Sequence, residues 1–321
     1  MDVEPGTVNG LATASPRKMH VAYTLVLFAT FVWGSQYILI KVGLTSLPPF
    51  FFQGMRHVFA FLGFAPFYGR FRKLNKYTLV ASIIVALSLY FTVAFLSYGL
   101  QLTTSNKGAF MATMYVVFTP FLGFMILKAR VKKQHVAGVA VAVIGMAIML
   151  FANAGAGANL LAFNIGDVLV LIGAVFNAFQ IVFLEKYSNK VDIVLFSMTQ
   201  IAVLAMLQLG TSVLIQEHVT WSAIDTVVII NWLYLGIVNS AATMLIQTWA
   251  QKFIDANKAA LLYALEPVFA IFFGITIGGE PLTIAFVAGA GLILAGILLS
   301  SMKLNRGPHP IDIAQLSSPI E

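Results

Sequence analysis

Apolar residues run through this chain in blocks of about twenty, separated by short polar loops. The blocks show neither the two-residue alternation of a half-buried strand nor the single stripe of a surface helix. Their length matches the roughly 30 Å of hydrocarbon that an α-helix must cross at about 1.5 Å per residue. Five blocks occupy 20–40, 48–69, 77–100, 106–127 and 135–151, and five more occupy 165–184, 191–215, 227–253, 256–277 and 281–301. A Gly/Ala/Asn segment, 152–164, reads as a surface connector between the two sets. The tails, 1–19 and 302–321, are polar or punctuated by proline and are expected to be disordered.

The two sets repeat each other. At a constant offset of 151, Asn106-Lys107, Val117-Phe118, Gly123, Val136-Ala137-Gly138 and Gly145 meet Asn257-Lys258, Val268-Phe269, Gly274, Val287-Ala288-Gly289 and Gly296. In the front part of each unit an offset of 144 matches Gln36 with Gln180 and Phe52 with Phe196. A unit with an odd number of spans must be followed by a copy lying upside down, so matched loops should differ in charge. They do: Arg70, Arg72, Lys73 and Lys76 fall onto Leu214, Gln216, Glu217 and Thr220, and Lys128, Arg130, Lys132 and Lys133 fall onto Gly279, Pro281, Thr283 and Ile284. The expected fold is all-α, with ten transmembrane helices arranged as two inverted five-helix repeats, 20–151 and 165–301. Inverted repeats point to a transporter.

Composition narrows the alternatives. With 60% apolar residues, 10% charge and a mean hydropathy of +0.90, lipid must be the main solvent. The absence of cysteine removes disulfides, thiol catalysis and cysteine-ligated metals. The net charge of +7 has a topological explanation, because ten spans would place sixteen of the nineteen Lys and Arg residues on one side. The positive-inside rule then puts both termini in the cytoplasm, with the plasma (inner) membrane as the expected location and no nucleic-acid partner. No metalloprotease motif, serine–base pair or Gly-rich Lys-Ser/Thr loop is present, so neither an enzyme, a cofactor, a metal nor direct ATP coupling is expected.

Polar residues inside spans are the best guide to a permeation path, since lipid-facing helices avoid them. Glu266 lies near the middle of the ninth block, where an ionised carboxylate is costly, and is a candidate proton carrier. The adjacent Pro267 leaves the Tyr263 carbonyl without its helical donor. Arg56 in the second block needs a partner. It can bind a substrate carboxylate bidentately with His57 as a further donor, snorkel outward, or pair with a carbonyl or with Glu266. Aromatic and amide side chains supply a candidate lining: Trp33, Gln36 and Tyr37, then Tyr90 and Tyr98, Tyr115, Asn177 and Gln180, Asn239, Thr243, Gln247 and Trp249, and Tyr263. Tyr115 aligns with Glu266. Pro120 and Pro267 are candidate helix breaks, and Glu280 before Pro281 is a cap first and a gate residue second.

Several short motifs occur in a telling order: Trp33-Gly34, Arg56, Thr119-Pro120, Gly138 to Gly145, Gly166-Asp167, Glu266-Pro267, Gly279-Glu280-Pro281-Leu282-Thr283 and Gly289 to Gly296. In that order, over 21–301, the chain resembles the EamA-type members of the drug/metabolite transporter superfamily. It departs from them at Asn177-Ala178, where Trp-Ala is common, and at Ala129, where a glutamate is frequent. The resemblance implies a carrier whose central cavity is lined by spans one to four and six to nine. Spans five and ten would pack at the periphery, with a homodimer contact through these glycine-rich helices. It also implies a small-molecule partner, with export of amino acids or related metabolites by alternating access as the expected activity. Import or exchange of a nucleotide-like, vitamin or organic-anion metabolite is the alternative, as is a non-transporting receptor or scaffold.

Overall fold

The computed structural model describes residues 7–8, 11–12, 15–103, 105–129, 131–152, 164–276 and 283–301. Seven helical stretches among them are long and apolar enough to cross a membrane: Pro16–Gly43, Lys76–Leu102, Gly108–Leu127, Ile165–Ser188, Ile193–Leu214, Thr226–Ala250 and Ala256–Thr276. Two shorter apolar helices, Lys133–Ile148 and Val287–Ser300, accompany them. The protein is a helical, multi-pass integral membrane protein.

Local chemistry fixes the helix starts. The helix α1 (Pro16–Gly34) opens with proline in its first turn and with the Ser15 hydroxyl accepting from the Lys18 N–H. It begins before the expected block, and within the tail expected to be disordered Thr7–Val8 pairs antiparallel with Leu11–Ala12. Asn75, Asp192, Asp225 and Asp255 cap α4 (Lys76–Leu102), α9 (Ile193–Leu214), α10 (Thr226–Leu233) and α12 (Ala256–Tyr263) in the same way. Asn164 and Asp167 form a reciprocal capping box on α8 (Ile165–Ser188). The second block is shorter as an α-helix than its hydropathy suggests, with α3 (Pro49–Gly63) followed by a 3₁₀ segment, Ala65–Lys73.

Among the described residues, four of the apolar blocks read from the sequence are discontinuous as α-helices. The first breaks at Ser35, between α1 and α2 (Gln36–Gly43), where the Ser35 hydroxyl bonds to the Val32 carbonyl. The fourth breaks at Met114, between α5 (Ser105–Thr113) and α6 (Tyr115–Leu127). The ninth breaks at Ala264-Leu265, between α12 and α13 (Glu266–Thr276). Met114 and Leu265 are separated by the same 151 residues as the matched motifs. Pro267 accounts for the ninth break, since it lacks an N–H and leaves the Tyr263 carbonyl, four residues back, without its helical donor. The eighth block passes through a π-helix, Tyr234–Ala242, between α10 and α11 (Thr243–Ala250). There the Ser240 hydroxyl donates to the carbonyl of Leu235, five residues back.

Pro120 behaves differently from expectation. It is buried within α6, which runs unbroken from Tyr115 to Leu127, so the discontinuity lies before that helix and not at the proline. Its missing N–H costs one bond to the Val116 carbonyl.

Glycines set a close helix contact between α7 (Lys133–Ala152) and α14 (Ile284–Ser301). A methyl group on Gly138 would sit 2.5 Å from the Gly296 carbonyl oxygen, and one on Gly145 would sit 2.5 Å from that of Gly289. The glycine faces of α7 and α14 therefore meet one another within the chain, while Val136, Ile144, Val287, Leu294 and Leu298 remain exposed. Gly145→Val is expected to force these backbones apart at a cost of about 1–3 kcal/mol. A lowered melting temperature in detergent checks this, with Gly291→Ala as control because nothing lies within 4 Å of that position. A Gly145→Val protein that melts with the parent would disprove the close packing.

Candidate functional site

Arg56 stands at the centre of α3 and is 5% exposed. Every group that holds it is neutral. Its Nε donates to Ser240 Oγ (2.9 Å), Nη1 to Gln53 Oε1 (3.4 Å), and Nη2 to Gln36 Oε1 (3.2 Å) and Asn239 Oδ1 (2.8 Å). Asn239 and Ser240 come from the π-helix, whose extra residue per turn lets two consecutive side chains reach one guanidinium. Gly236 makes the approach possible, because a methyl group there would lie 2.7 Å from the Arg56 carbonyl oxygen. Asn239 is anchored in turn by donating to the Val32 carbonyl (2.8 Å).

Glu266 opens α13 beside the ninth break and is also 5% exposed. Tyr37 donates its hydroxyl to Glu266 Oε2 at 2.8 Å. No ion pair joins Glu266 to Arg56, so the sequence alternative in which they lock each other is not realised. Tyr115, matched to Glu266 by the repeat, is buried nearby with a hydroxyl that has no hydrogen-bond partner.

Arg56 and Glu266 line one cavity of about 100 Å³. This is smaller than the roughly 300–1,000 Å³ of drug-sized ligand sites, so in this conformation it accommodates only a small solute. Trp33, Gln36, Tyr37, Tyr115, Asn177, Gln180, Asn239, Gln247 and Tyr263 line it as expected from the sequence. Gln180 and Gln247 exchange amide hydrogen bonds at 3.2 and 3.4 Å, tying α8 to α11 across its wall. The Trp33 ring meets Tyr263 edge-on with centroids 5.2 Å apart.

Other expected residues lie elsewhere. Thr243 stands one layer behind, accepting from Trp33 Nε1 at 2.9 Å and donating to the Asn239 carbonyl at 2.6 Å. Trp249 packs edge-on against Phe253 in the hydrophobic core, because two residues beyond Gln247 a helix has turned about 200°. Tyr90 and Tyr98 miss the cavity for the same reason. The α4 face that reaches it carries Leu89, Thr92, Val93 and Leu96, whereas Tyr90 and Tyr98 pack on Phe50 at centroid distances of 5.9 and 5.7 Å. Pro267 is buried next to Glu266 at the start of α13. Glu280 lies outside the described residues.

Ser240, Ala112, Ala174 and Met244 line the cavity without being singled out by the sequence pattern; His57, the candidate further donor beside Arg56, lines it too, with Nδ1 at 2.8 Å from the Gln53 carbonyl and 2.7 Å from Gln208 Oε1. Ser240 was legible as the neighbour of Asn239. The alanines carry no polar signal and contribute only space. Among the described residues no group of three or more His, Asp or Glu side chains gathers to hold a metal ion.

Comparison with known proteins agrees with this architecture. The chain is 28% identical over 273 residues to an uncharacterized transporter of Archaeoglobus fulgidus, covering 85% of this chain and 83% of that one. A protein of Salmonella typhimurium named probable amino-acid metabolite efflux pump is 27% identical, with 86% and 93% covered. An uncharacterized transporter of Bacillus subtilis, YoaV, is 24% identical, with 88% and 97% covered. A solved crystal structure shares the fold with a TM-score of 0.69 at 18% identity, covering 88% of this chain and 96% of its own. The sequence profile of the EamA-like transporter family matches residues 20–151 and 164–302, nearly the whole membrane-embedded chain. The protein therefore belongs to the EamA-like transporter family of the drug/metabolite transporter superfamily.

Proposed function

We propose that this protein is a secondary carrier that exports small zwitterionic solutes, amino acids or related metabolites, by alternating access. The observation that carries the reading is the pairing of Arg56 and Glu266 in one small buried cavity, each held by neutral side chains and not by the other. Burying a charge without a counter-charge is costly. A solute with a carboxylate for Arg56 and an ammonium for Glu266 would supply both missing partners. The Trp33–Tyr263 contact adds an apolar wall for a side chain. The relative named as an amino-acid metabolite efflux pump supports the same substrate class.

Glu266 also gives a route to coupling. One carboxylate binds a proton or a substrate ammonium but not both, so competition for it would exchange solute for protons. In this reading ten spans form two inverted halves with both termini cytoplasmic. The matched breaks at Met114 and Leu265 and the two segments matched by the family profile support it. A homodimer, if it uses α7 and α14, would use the faces turned away from their shared glycine seam.

Two measurements test this. Proteoliposomes loaded with unlabelled solute are expected to accumulate labelled amino acid by saturable counterflow, in a screen that includes nucleosides, vitamins and anionic metabolites. Non-saturable flux would favour a channel, and counterflow restricted to solutes lacking an ammonium would exclude the zwitterion reading. The chain contains no cysteine, so Leu74→Cys and His218→Cys can be labelled singly. They are expected to react from opposite faces of the membrane, and reaction from one face would remove the inverted arrangement.

A further inference from the structure

Glu217, in the loop after α9, is bound to the start of α3. Its Oε1 accepts from the Phe50 N–H at 3.1 Å and its Oε2 from the Phe51 N–H at 2.8 Å. The need for this contact is written at the helix start. The cap position of α3 is Pro48, which makes no side-chain cap, and Pro49 follows it, so the first free N–H groups have no local acceptor. A carboxylate from the other half of the chain fills that role, with its charge also favoured by the positive end of the helix dipole. Phe50 is further enclosed by Tyr90, Tyr98 and, through the Tyr90 hydroxyl, Thr211 Oγ1 at 2.7 Å. Two tyrosines that miss the cavity thus belong to this contact.

A counterpart exists at the other end of the same helix pair. The offset of 144 carries Pro48, the cap of α3, onto Asp192, the cap of α9, and Lys73 onto Glu217. At that end α9 caps itself, with Asp192 accepting from the Leu195 N–H at 3.0 Å. The polar contact from the loop after α3 is Arg70, whose Nη1 meets Asp192 Oδ2 at 2.7 Å with the two side chains 44% and 43% exposed, beside apolar packing of Tyr68, Phe71 and Leu74 in the cluster that holds Leu195. Exposed ion pairs of this kind contribute little.

We infer that Glu217 is the latch of one mouth of the carrier, that Arg70–Asp192 is its weaker counterpart at the other, and that the inequality biases the empty protein to open on the Arg70 side. Both are closed here, in keeping with the small cavity and the burial of Arg56 and Glu266. Because α3 carries Arg56, releasing its start also frees the guanidinium that the solute meets. The inference rests on the alternating-access reading. With both termini cytoplasmic, the Arg70 side is the cytoplasm, from which an exporter loads.

The test uses a cysteine in the cavity wall, Ala112→Cys, attacked by a membrane-impermeant thiol reagent from either side of oriented vesicles. His218→Cys defines the Glu217 side in a separate sample. The parent is expected to react faster from the Arg70 side. Glu217→Gln is expected to raise the rate from the Glu217 side at least about fivefold, while Arg70→Gln changes the rate from its side less than about twofold. A faster parental reaction from the Glu217 side, or a folded Glu217→Gln protein with unchanged rates, overturns the inference. Should the glutamine variant fail to fold, Glu217→Asp keeps the charge and shortens the reach. An intermediate rise then supports the latch, and a parental rate overturns it. If His218→Cys proves to face the cytoplasm, the topology reading fails while the latch, defined by side and not by compartment, is still decided.

Discussion

Arg56→Lys is expected to weaken solute binding at least about tenfold, equivalent to about 1.4 kcal/mol, with folding preserved. The guanidinium meets Ser240, Gln53, Gln36 and Asn239 through three separate nitrogens. A lysine ammonium is a single point with three donors on a flexible stem, and it cannot hold those four acceptors and still offer a further N–H to a carboxylate, as the guanidinium can with its fifth. Arg56→Ala should go further, by about 2–5 kcal/mol, the usual cost of removing one partner of a buried hydrogen-bonded charge pair. Counterflow KM and thermal stability measured together check this. A lysine variant with parental KM would mean that Arg56 serves only to join α3 to the π-helix. A loss of stability with no change in the affinity of the folded fraction would say the same.

The second large effect is expected at Glu266. Glutamine keeps an oxygen to accept the Tyr37 hydroxyl but can neither bind a proton reversibly nor balance an ammonium. Glu266→Gln should therefore lose stimulation of transport by a pH gradient, and whatever counterflow remains should be independent of pH. The sign follows from competition: in the parent, acid on the side where the site faces protonates the carboxylate and releases solute there, and alkaline conditions on that side favour loading. Flux with and without an imposed gradient, in the parent and the variant, measures this. A variant whose flux still responds to the gradient as the parent does would place proton coupling elsewhere.

Together these variants separate the two charges of the cavity. A solute lacking the ammonium should be indifferent to Glu266→Gln in its binding yet still sensitive to Arg56→Lys. A solute lacking the carboxylate should behave in the opposite way.

Much of the site was legible because intramembrane polarity is rare and therefore informative. Arg56, Glu266, Gln36, Asn177, Gln180, Asn239 and Gln247 stand out against apolar neighbours in the chain itself, and all seven line the cavity. The tyrosines and tryptophans were less reliable guides. Such rings are at home in packing contacts and at membrane interfaces as well as around a solute, and Tyr90, Tyr98 and Trp249 turned out to be packing residues. Glu217 was visible only as a charge reversal in a matched loop. That it caps a helix from the other half of the chain is a long-range fact, since 166 and 167 residues separate it from Phe51 and Phe50.

The sequence alone determined that the chain lives in lipid, where its apolar blocks begin and end, and which polar side chains are embedded in them. These are properties of local composition and length, set by the cost of placing polar groups in hydrocarbon. Only the tertiary structure decided how each helix is turned about its axis, and hence that Leu89 and Thr92 face the cavity while Tyr90 does not. It also decided that amides and a serine, not Glu266, hold Arg56, and that the glycines of α7 and α14 meet each other. Those outcomes depend on which helices become neighbours and how closely their backbones approach, and a linear pattern contains neither quantity.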